Sequence, residues 1–275
     1  MPELPEVETT INGLHILKNQ KVIKVKVYTK KLRYNIPDYI HKTITGQRIK
    51  AINRIAKYIL IKFKNNITII IHLGMSGRLK ILKKNFIKEK HDHLMLYFRD
   101  NYVLALNDTR KFSFVDVVET ENICNKKYIS SLGIDALSNK LSADYIYGKI
   151  HKSVVPIKQI LLNQHIVAGI GNIYASEILF DAKISPLTLG RDLLADQINQ
   201  IIKSIKKILK KAIRYKGSSI RDYRSFDGTL GNFQSNFKVY GKAGKKISSY
   251  EIIKIIQYGR TTYFCPKIQK EQNSN

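Results

Sequence analysis

Near the middle of the chain the spacing of apolar residues changes, and this change constrains the fold more than any other feature. Before about Leu132, short apolar stretches recur between Gly, Asn or charged turns: Val22–Thr29, Tyr58–Phe63, Ile67–His72, Leu94–Arg99 and Tyr102–Asn107. Runs of this kind read as strands, and several in succession predict an antiparallel sandwich or flattened barrel. Residues 3–18 are the exception, because Val7, Ile11 and Leu14 recur at helical spacing. Beyond Leu132, Gly133–Asn139 reads as a connector and helical periodicity takes over. The longest helical segment sets Ile198, Ile201, Ile202, Ile205, Ile208, Leu209 and Ala212 on one stripe. Lys203, Lys206, Lys207, Lys210 and Lys211 lie mostly off that stripe, and Gly217 closes the segment. The tail from Phe237 to Lys270 returns to strand-like character around VYGKAG and GRTTYF. The expected fold class is therefore α+β. An N-terminal antiparallel β-sandwich with a flanking helix spans 1–132, a helical domain spans 133–236, and a β-hairpin segment spans 237–275.

A formal net charge of +27 with a pI near 9.9 fits a polyanionic partner, because clustered lysines release counterions from nucleic acid. Part of that excess follows from a chain rich in Lys, Ile, Asn and Tyr, residues that AT-rich codons favour. The lysine face of the long helix also reads as an ordinary solvated surface. Charge names the partner and leaves the reaction open, since a ribosomal-type binding protein fits it as well as an enzyme does. The two cysteines, Cys124 and Cys265, are too few for a disulfide framework or a four-thiolate zinc site. No apolar run reaches the ~18 residues of a membrane span, and Glu3 and Glu6 at the start do not suit a signal peptide. A soluble, intracellular protein with no membrane partner is expected.

The chain opens MPELPEVETT. Removal of Met1 leaves Pro2 with a secondary α-amine, and α-amines titrate near ~7.7–8.0. Such an amine can attack an electrophilic carbon and form an iminium, as Schiff-base lysines do. Glu3 follows directly and Glu6 stands one turn further on. The plain alternative is a helix start, with Pro in the first turn and acids favoured by the dipole. RIAKYILIKF places Lys57 at the start of a strand. In HLGMSG (His72–Gly77) a strand runs into a glycine-rich turn with Met75 at its tip, either a core side chain or an apolar wedge between bases. HDH puts His91 and His93 on one side of a strand with no third metal ligand nearby, which suits phosphate contact or packing. NDTRKF offers Arg110 and Phe112 at a strand end, a cation and an aromatic able to fill the hole left by an extruded nucleotide. Gly169 and Gly171 precede Asn172 at a helix start, where exposed N–H groups suit an anion.

PELPEVET, AKY, HLGMSG, HDH, the Arg110/Phe112 pair, GIGNIYASE and FxVYGK…GRTTYFCPK occur in this order from Pro2 to about Lys270. In that order they resemble formamidopyrimidine-DNA glycosylases, bacterial repair enzymes for oxidised purines with a helix–two-turn–helix domain. The related endonuclease VIII branch opens PEGPE and lacks HLGMSG, so the purine branch is favoured. The resemblance implies that the Pro2 amine attacks C1′ of the damaged nucleoside and that Glu3 protonates the deoxyribose ring oxygen. It implies that Lys57 holds phosphate and assists elimination, and that Arg260 reaches phosphates beside the lesion from the finger. His72, Met75, His91, Arg110, Phe112, Lys152, Lys158, Asn172 and Tyr240 fall on DNA-contact positions. Ser218 through Gly231 resembles the loop that closes over the flipped base, and Glu6 is a structural acceptor near the active site. Damaged double-stranded DNA is the implied partner, met by a monomer in the bacterial cytoplasm at the nucleoid.

The resemblance fails at one place. The family's tail carries two C-x-x-C pairs that hold zinc, and the matching positions here are Ile247, Tyr250, Cys265 and Ile268. One thiolate cannot hold structural zinc, so a zinc-less finger resting on apolar packing of Ile247, Tyr250 and Ile268 is expected, with no cofactor. Three other readings are weighed: a pyrimidine-lesion glycosylase of the endonuclease VIII kind, a DNA-binding protein that has lost catalysis, and a small-molecule tautomerase using the proline amine. Retention of Pro2, Glu3 and Lys57 together speaks against the second. Length, basicity and the wedge motifs speak against the third.

Overall fold

The structure, a computed structural model, describes residues 1–83, 85–218 and 231–270. The chain forms two compact units, Met1–Ser130 with Tyr215–Gln234, and Ser131–Arg214 with Ser235–Asn275. The boundaries expected from sequence lie at 132 and 236, and these units divide near the same places. Of the described residues, 215–218 and 231–234 fall in the unit of the sandwich, and the hairpin tail falls in that of the helices.

In the first unit, helix α1 (Leu4–Leu14) begins at Glu3 with a reciprocal capping box. The Glu3 carboxylate accepts the Glu6 N–H, and Glu6 Oε2 accepts the Glu3 N–H at 2.9 Å. A 3-10 turn, His15–Leu17, extends it almost as far as the apolar spacing predicts. Eight strands follow: β1 (Val22–Val27), β2 (Ile49–Ile55), β3 (Tyr58–Phe63), β4 (Ile67–His72), β5 (Arg78–Lys83), β6 (Asp92–Phe98), β7 (Tyr102–Asn107) and β8 (Phe114–Glu119). Short helices α2 (Ile40–Ile44) and α3 (Lys127–Ser130) complete it. The strands make two antiparallel four-stranded sheets, ordered β1-β6-β7-β5 and β2-β3-β4-β8. Alternation decides which side chains meet. Ile59, Ile61, Phe63, Ile69 and Ile71 of one sheet share a core with Leu94, Leu96, Phe98, Leu104 and Leu106 of the other. Val7, Ile11 and Leu14 bring α1 into the same core, so the start of the chain is fixed against β2 and β3.

Glu6 is the acceptor that ties the returning segment to this unit. Its Oε1 takes the Ser218 N–H at 2.8 Å and the Ser218 hydroxyl at 3.0 Å. Gly217 reaches it at φ +73, a left-handed conformation in which a Cβ would stand 2.9 Å from that oxygen. Of the expected loop from Ser218 to Gly231, residues 219–230 lie outside the described residues.

In the second unit, α4 (Ala143–Ile150), α5 (Ile157–Leu162), α6 (Asn172–Asp181) and α7 (Ala195–Arg214) carry the helical half. The stripe of α7 is buried at Ile198, Ile201, Ile202, Ile205, Leu209 and Ala212, while Lys203, Lys207 and Lys210 are exposed. The tail is an antiparallel hairpin of Ile253–Gln257 and Arg260–Phe264, with Gln257 opposite Arg260 across a Tyr258-Gly259 turn. Among the described residues no helix is long and apolar enough to cross a membrane.

Glu6→Ala strands two buried Ser218 donors and removes half of the capping box. Urea unfolding is expected to show a loss of roughly 1–3 kcal/mol, with an unchanged far-ultraviolet spectrum.

Candidate functional site

The first unit gathers most of the sequence-derived residues at one end of the sandwich. Pro2 and Glu3 are buried at the head of α1. Lys57 is only 5% exposed and occupies the turn just before β3, where Ala56 has φ +50. Strand pairing sets Tyr58 opposite His72, with ring centroids 4.9 Å apart. His72 Nδ1 accepts the Gly74 N–H at 3.1 Å, which leaves the proton of the neutral ring on Nε2. Burial, and then the charges of Lys57 and Arg33, push the His72 pKa down to about 4. A cavity of about 540 Å³ opens here, lined by Met1, Leu32, Arg33, His72, Met75 and Phe112 together with Gly74 and Lys111.

The two wedge turns are one construction. Met75 is 45% exposed and Phe112 41%, each at the tip of its turn. Behind them Asp108, fully buried, accepts the Ser76 hydroxyl at 2.5 Å, the Arg110 N–H at 3.1 Å and the Ser113 N–H at 2.7 Å. Gly74 passes so close that a Cβ there would stand 2.3 Å from the Phe112 carbonyl oxygen. The Arg110 guanidinium stacks 4.9 Å from the centroid of the Phe112 ring. Sequence reasoning found the tips and missed Asp108, although Asp–x–Arg in a turn is the pattern of a side chain capping its own loop.

HDH departs from expectation. His91 stands before β6 rather than in it, half-exposed, and its carbonyl accepts the Asp108 N–H. His93 is a core histidine, its ring nitrogens 2.8 Å from Thr29 Oγ1 and 2.7 Å from the Asp108 carbonyl. Asp92 between them is buried. Burial favours its neutral acid, but hydrogen bonds from Lys80, Asn107 and the Glu89 N–H outweigh this and hold its pKa low. The motif braces the wedge loop from below.

In the second unit Asn172 is the first residue of α6 and Gly171 its N-cap. Asn172 Nδ2 donates to the Thr261 carbonyl at 2.9 Å. Lys152 is exposed just beyond α4, and Tyr240 is half-exposed, its ring 5.1 Å from that of Tyr263. Arg260 is exposed at the start of its strand. Lys158 corrects the sequence reading. Its side chain is fully buried, donating to Thr261 O at 3.1 Å and Thr262 Oγ1 at 2.6 Å, so it faces protein where a phosphate contact was expected. Glu177, unnoticed in the sequence, accepts the N–H groups of Lys238, Val239 and Tyr240 at 2.8–3.0 Å.

Two family models match, the formamidopyrimidine-DNA glycosylase N-terminal domain over residues 1–115 and the formamidopyrimidine-DNA glycosylase H2TH domain over 132–224. Formamidopyrimidine-DNA glycosylase of Zymomonas mobilis is 43% identical, the alignment covering 98% of this chain and 100% of that one. The chain belongs to the formamidopyrimidine-DNA glycosylase family. A Rickettsia bellii glycosylase of that name is 38% identical, with 98% and 100% covered. Among solved structures, a Lactococcus lactis FPG mutant in complex with a Fapy-dG containing DNA superposes with TM-score 0.91 at 35% identity, covering 98% and 100%. The Lactococcus lactis Fpg with an abasic site containing DNA gives 0.90 at 35% identity, with 98% and 100% covered.

The four positions at which the sequence resemblance implies zinc ligands are filled here by a set that does not suit the metal. Cys265 is fully buried with Val239 and Ile252, and Ile247 and Ile268 pack against them with Phe180 and Tyr263. Hydrocarbon offers no donor, and one sulfur alone cannot complete a tetrahedral site. Tyr250 corrects the expected plug. It is 46% exposed and stands outside the cluster, which Val239 and Ile252 complete instead.

The low pKa of His72 makes a pH statement. The unfolded chain takes up a proton near pH 6.5 and the folded one only near 4. Stability from the neutral ring is full above pH 6.5 and is lost as pH falls toward 4. Calorimetry on His72→Asn is expected to show a flatter fall of Tm between those values.

Proposed function

We propose that this chain excises oxidised purines, 8-oxoguanine and formamidopyrimidines, from duplex DNA and then cleaves the strand by β- and δ-elimination. The observation that carries this reading is the Pro2-Glu3 pair buried at the head of α1, in the same unit as buried Lys57 and a cavity edged by Met1. Loss of Met1 frees the Pro2 secondary amine. Its lone pair attacks C1′ as the glycosidic bond breaks, the bond's electron pair leaves with the base, and the base takes up the proton that the nitrogen sheds. Glu3 gives its proton to the ring oxygen as the sugar opens, which leaves an iminium. That cation acidifies the C2′ proton, whose removal expels the 3′ phosphate, and a second elimination expels the 5′ phosphate. Water then releases the enzyme. Lys57 holds the phosphate during these steps.

Met75, Arg110 and Phe112 take the space left by the flipped nucleotide, offsetting an unstacking cost of a few kcal/mol. His72, His91, Lys152, Asn172, Tyr240 and Arg260 meet the backbone. The enzyme works without zinc, as a monomer on nucleoid DNA of the bacterial cytoplasm. Relatives that are formamidopyrimidine-DNA glycosylases, and neighbours solved with Fapy-dG or abasic DNA, support the substrate class.

Borohydride should trap a covalent adduct with duplex carrying 8-oxoguanine opposite cytosine. Pro2→Gly is expected to weaken trapping strongly, and Glu3→Gln to abolish base excision while sparing some cleavage of preformed abasic sites. Undiminished trapping in Pro2→Gly would move the nucleophile to a lysine. Metal analysis of the purified protein should find no stoichiometric zinc, and a chelator should leave cleavage unchanged while Arg260→Ala loses most of it. One equivalent of zinc would sink the zinc-less account.

A further inference from the structure

We infer that Lys158, Thr262 and Gln257 form a buried chain of hydrogen bonds that sets where Arg260 stands, making them positioning residues for the arginine. The inference rests on the proposed function, in which Arg260 contacts DNA phosphate. Arg260 follows a two-residue turn whose Tyr258 and Gly259 both have positive φ, +48 and +71. A tip of this kind projects its side chain accurately only if the strands below it are held.

Those strands are held from both sides. Lys158 Nζ donates to the Thr261 carbonyl at 3.1 Å and to Thr262 Oγ1 at 2.6 Å. Thr262 Oγ1 in turn donates to Gln257 Oε1 at 2.7 Å, and Gln257 Nε2 donates to the Pro186 carbonyl at 3.2 Å. Gln257 is the residue paired with Arg260 across the turn. Lys158 and Thr262 are fully buried and Gln257 nearly so. A buried ammonium needs its acceptors, so this geometry is enforced. At the former zinc positions the finger packs on the Val239, Ile252 and Cys265 cluster, which is apolar and without direction. Where a metal with directed bonds is not provided for, directed hydrogen bonds beside the tip do the registering. Lys158 therefore acts through Arg260, not on the phosphate itself.

The test measures the dissociation constant for duplex carrying an abasic analogue, over a range of salt, for a double-mutant cycle. Thr262→Val keeps shape and removes both bonds of the hydroxyl. It is expected to weaken binding about tenfold and to lower the log–log salt slope toward that of Arg260→Ala, which loses about 0.9 for one phosphate. In the Arg260→Ala background Thr262→Val should cost nothing further, and Thr262→Ser should restore binding. Should Thr262→Val fail to fold by circular dichroism, Gln257→Met, which leaves the Lys158–Thr262 bond in place, runs the same cycle. Additive losses, or a salt slope unmoved by either variant, would overturn the inference. Arg260→Ala binding as tightly as wild type would overturn it too, while covalent trapping through Pro2 would leave the proposed reaction standing. Loss of trapping with an intact cycle would do the opposite, removing the proposed reaction and upholding the positioning of Arg260.

Discussion

A carboxylate buried beside backbone N–H groups is held there by several short bonds, and four such groups organise what this chain presents to DNA. Glu6 gathers the Glu3 N–H and both donors of Ser218. Asp92 gathers the Glu89 N–H and the Asn107 amide, and pairs with Lys80. Asp108 gathers Ser76, Arg110 and Ser113, and Glu177 gathers three successive N–H groups of residues 238–240. Leaving any of these donors buried and unmet costs roughly 1–3 kcal/mol. Each acid therefore fixes a segment: the head of the first helix, the turn before β6, the loop at 108–113 and residues 238–240. In a chain with 48 Lys and Arg against 21 Asp and Glu, these acids are spent on internal placement.

The C-terminal hairpin is held by apolar packing and directed hydrogen bonds. Three of four positions lack thiols, yet the hairpin retains its antiparallel register from Ile253–Phe264 to Gln257–Arg260. Apolar packing fills the space between those positions here, at roughly 1.5–3 kcal/mol for each fully buried side chain. Structural zinc is worth ~10–16 kcal/mol, so packing alone replaces only part of it. Polar anchors supply further ties: Gln269 bridges the Ile184 carbonyl and the Cys265 N–H, and Lys158 and Asn172 both reach Thr261.

The positive charge divides by location. On α7 Lys203, Lys207 and Lys210 are exposed, and the ion pair of Lys207 with Asp181, at 2.6 Å, is worth little in water. That face fits the solvated reading. Lys57 and Lys158 are buried, and burial of a cation without purpose is too costly to persist. Lys57 is buried at the head of the sandwich, and Lys158 is buried against Thr261 and Thr262.

Local pattern was enough to read the helix at the start, the run of strands and the stripe of the long helix, because each follows from spacing along a few turns. It was also enough to place Met75, Arg110 and Phe112 at turn tips, since glycine and charge mark those turns in the chain itself. Residues 40–44 and the strands at 49–55, 78–83 and 114–119 were less legible, being short and mixed in polarity. Only tertiary structure decided that His93 is core, that Tyr250 leaves the plug, that Lys158 faces Thr262, and that Ser218 returns to Glu6. Each of these depends on a partner far along the chain. A side chain's own neighbours in sequence set its backbone, but burial and hydrogen-bond partners come from whatever the fold brings to it.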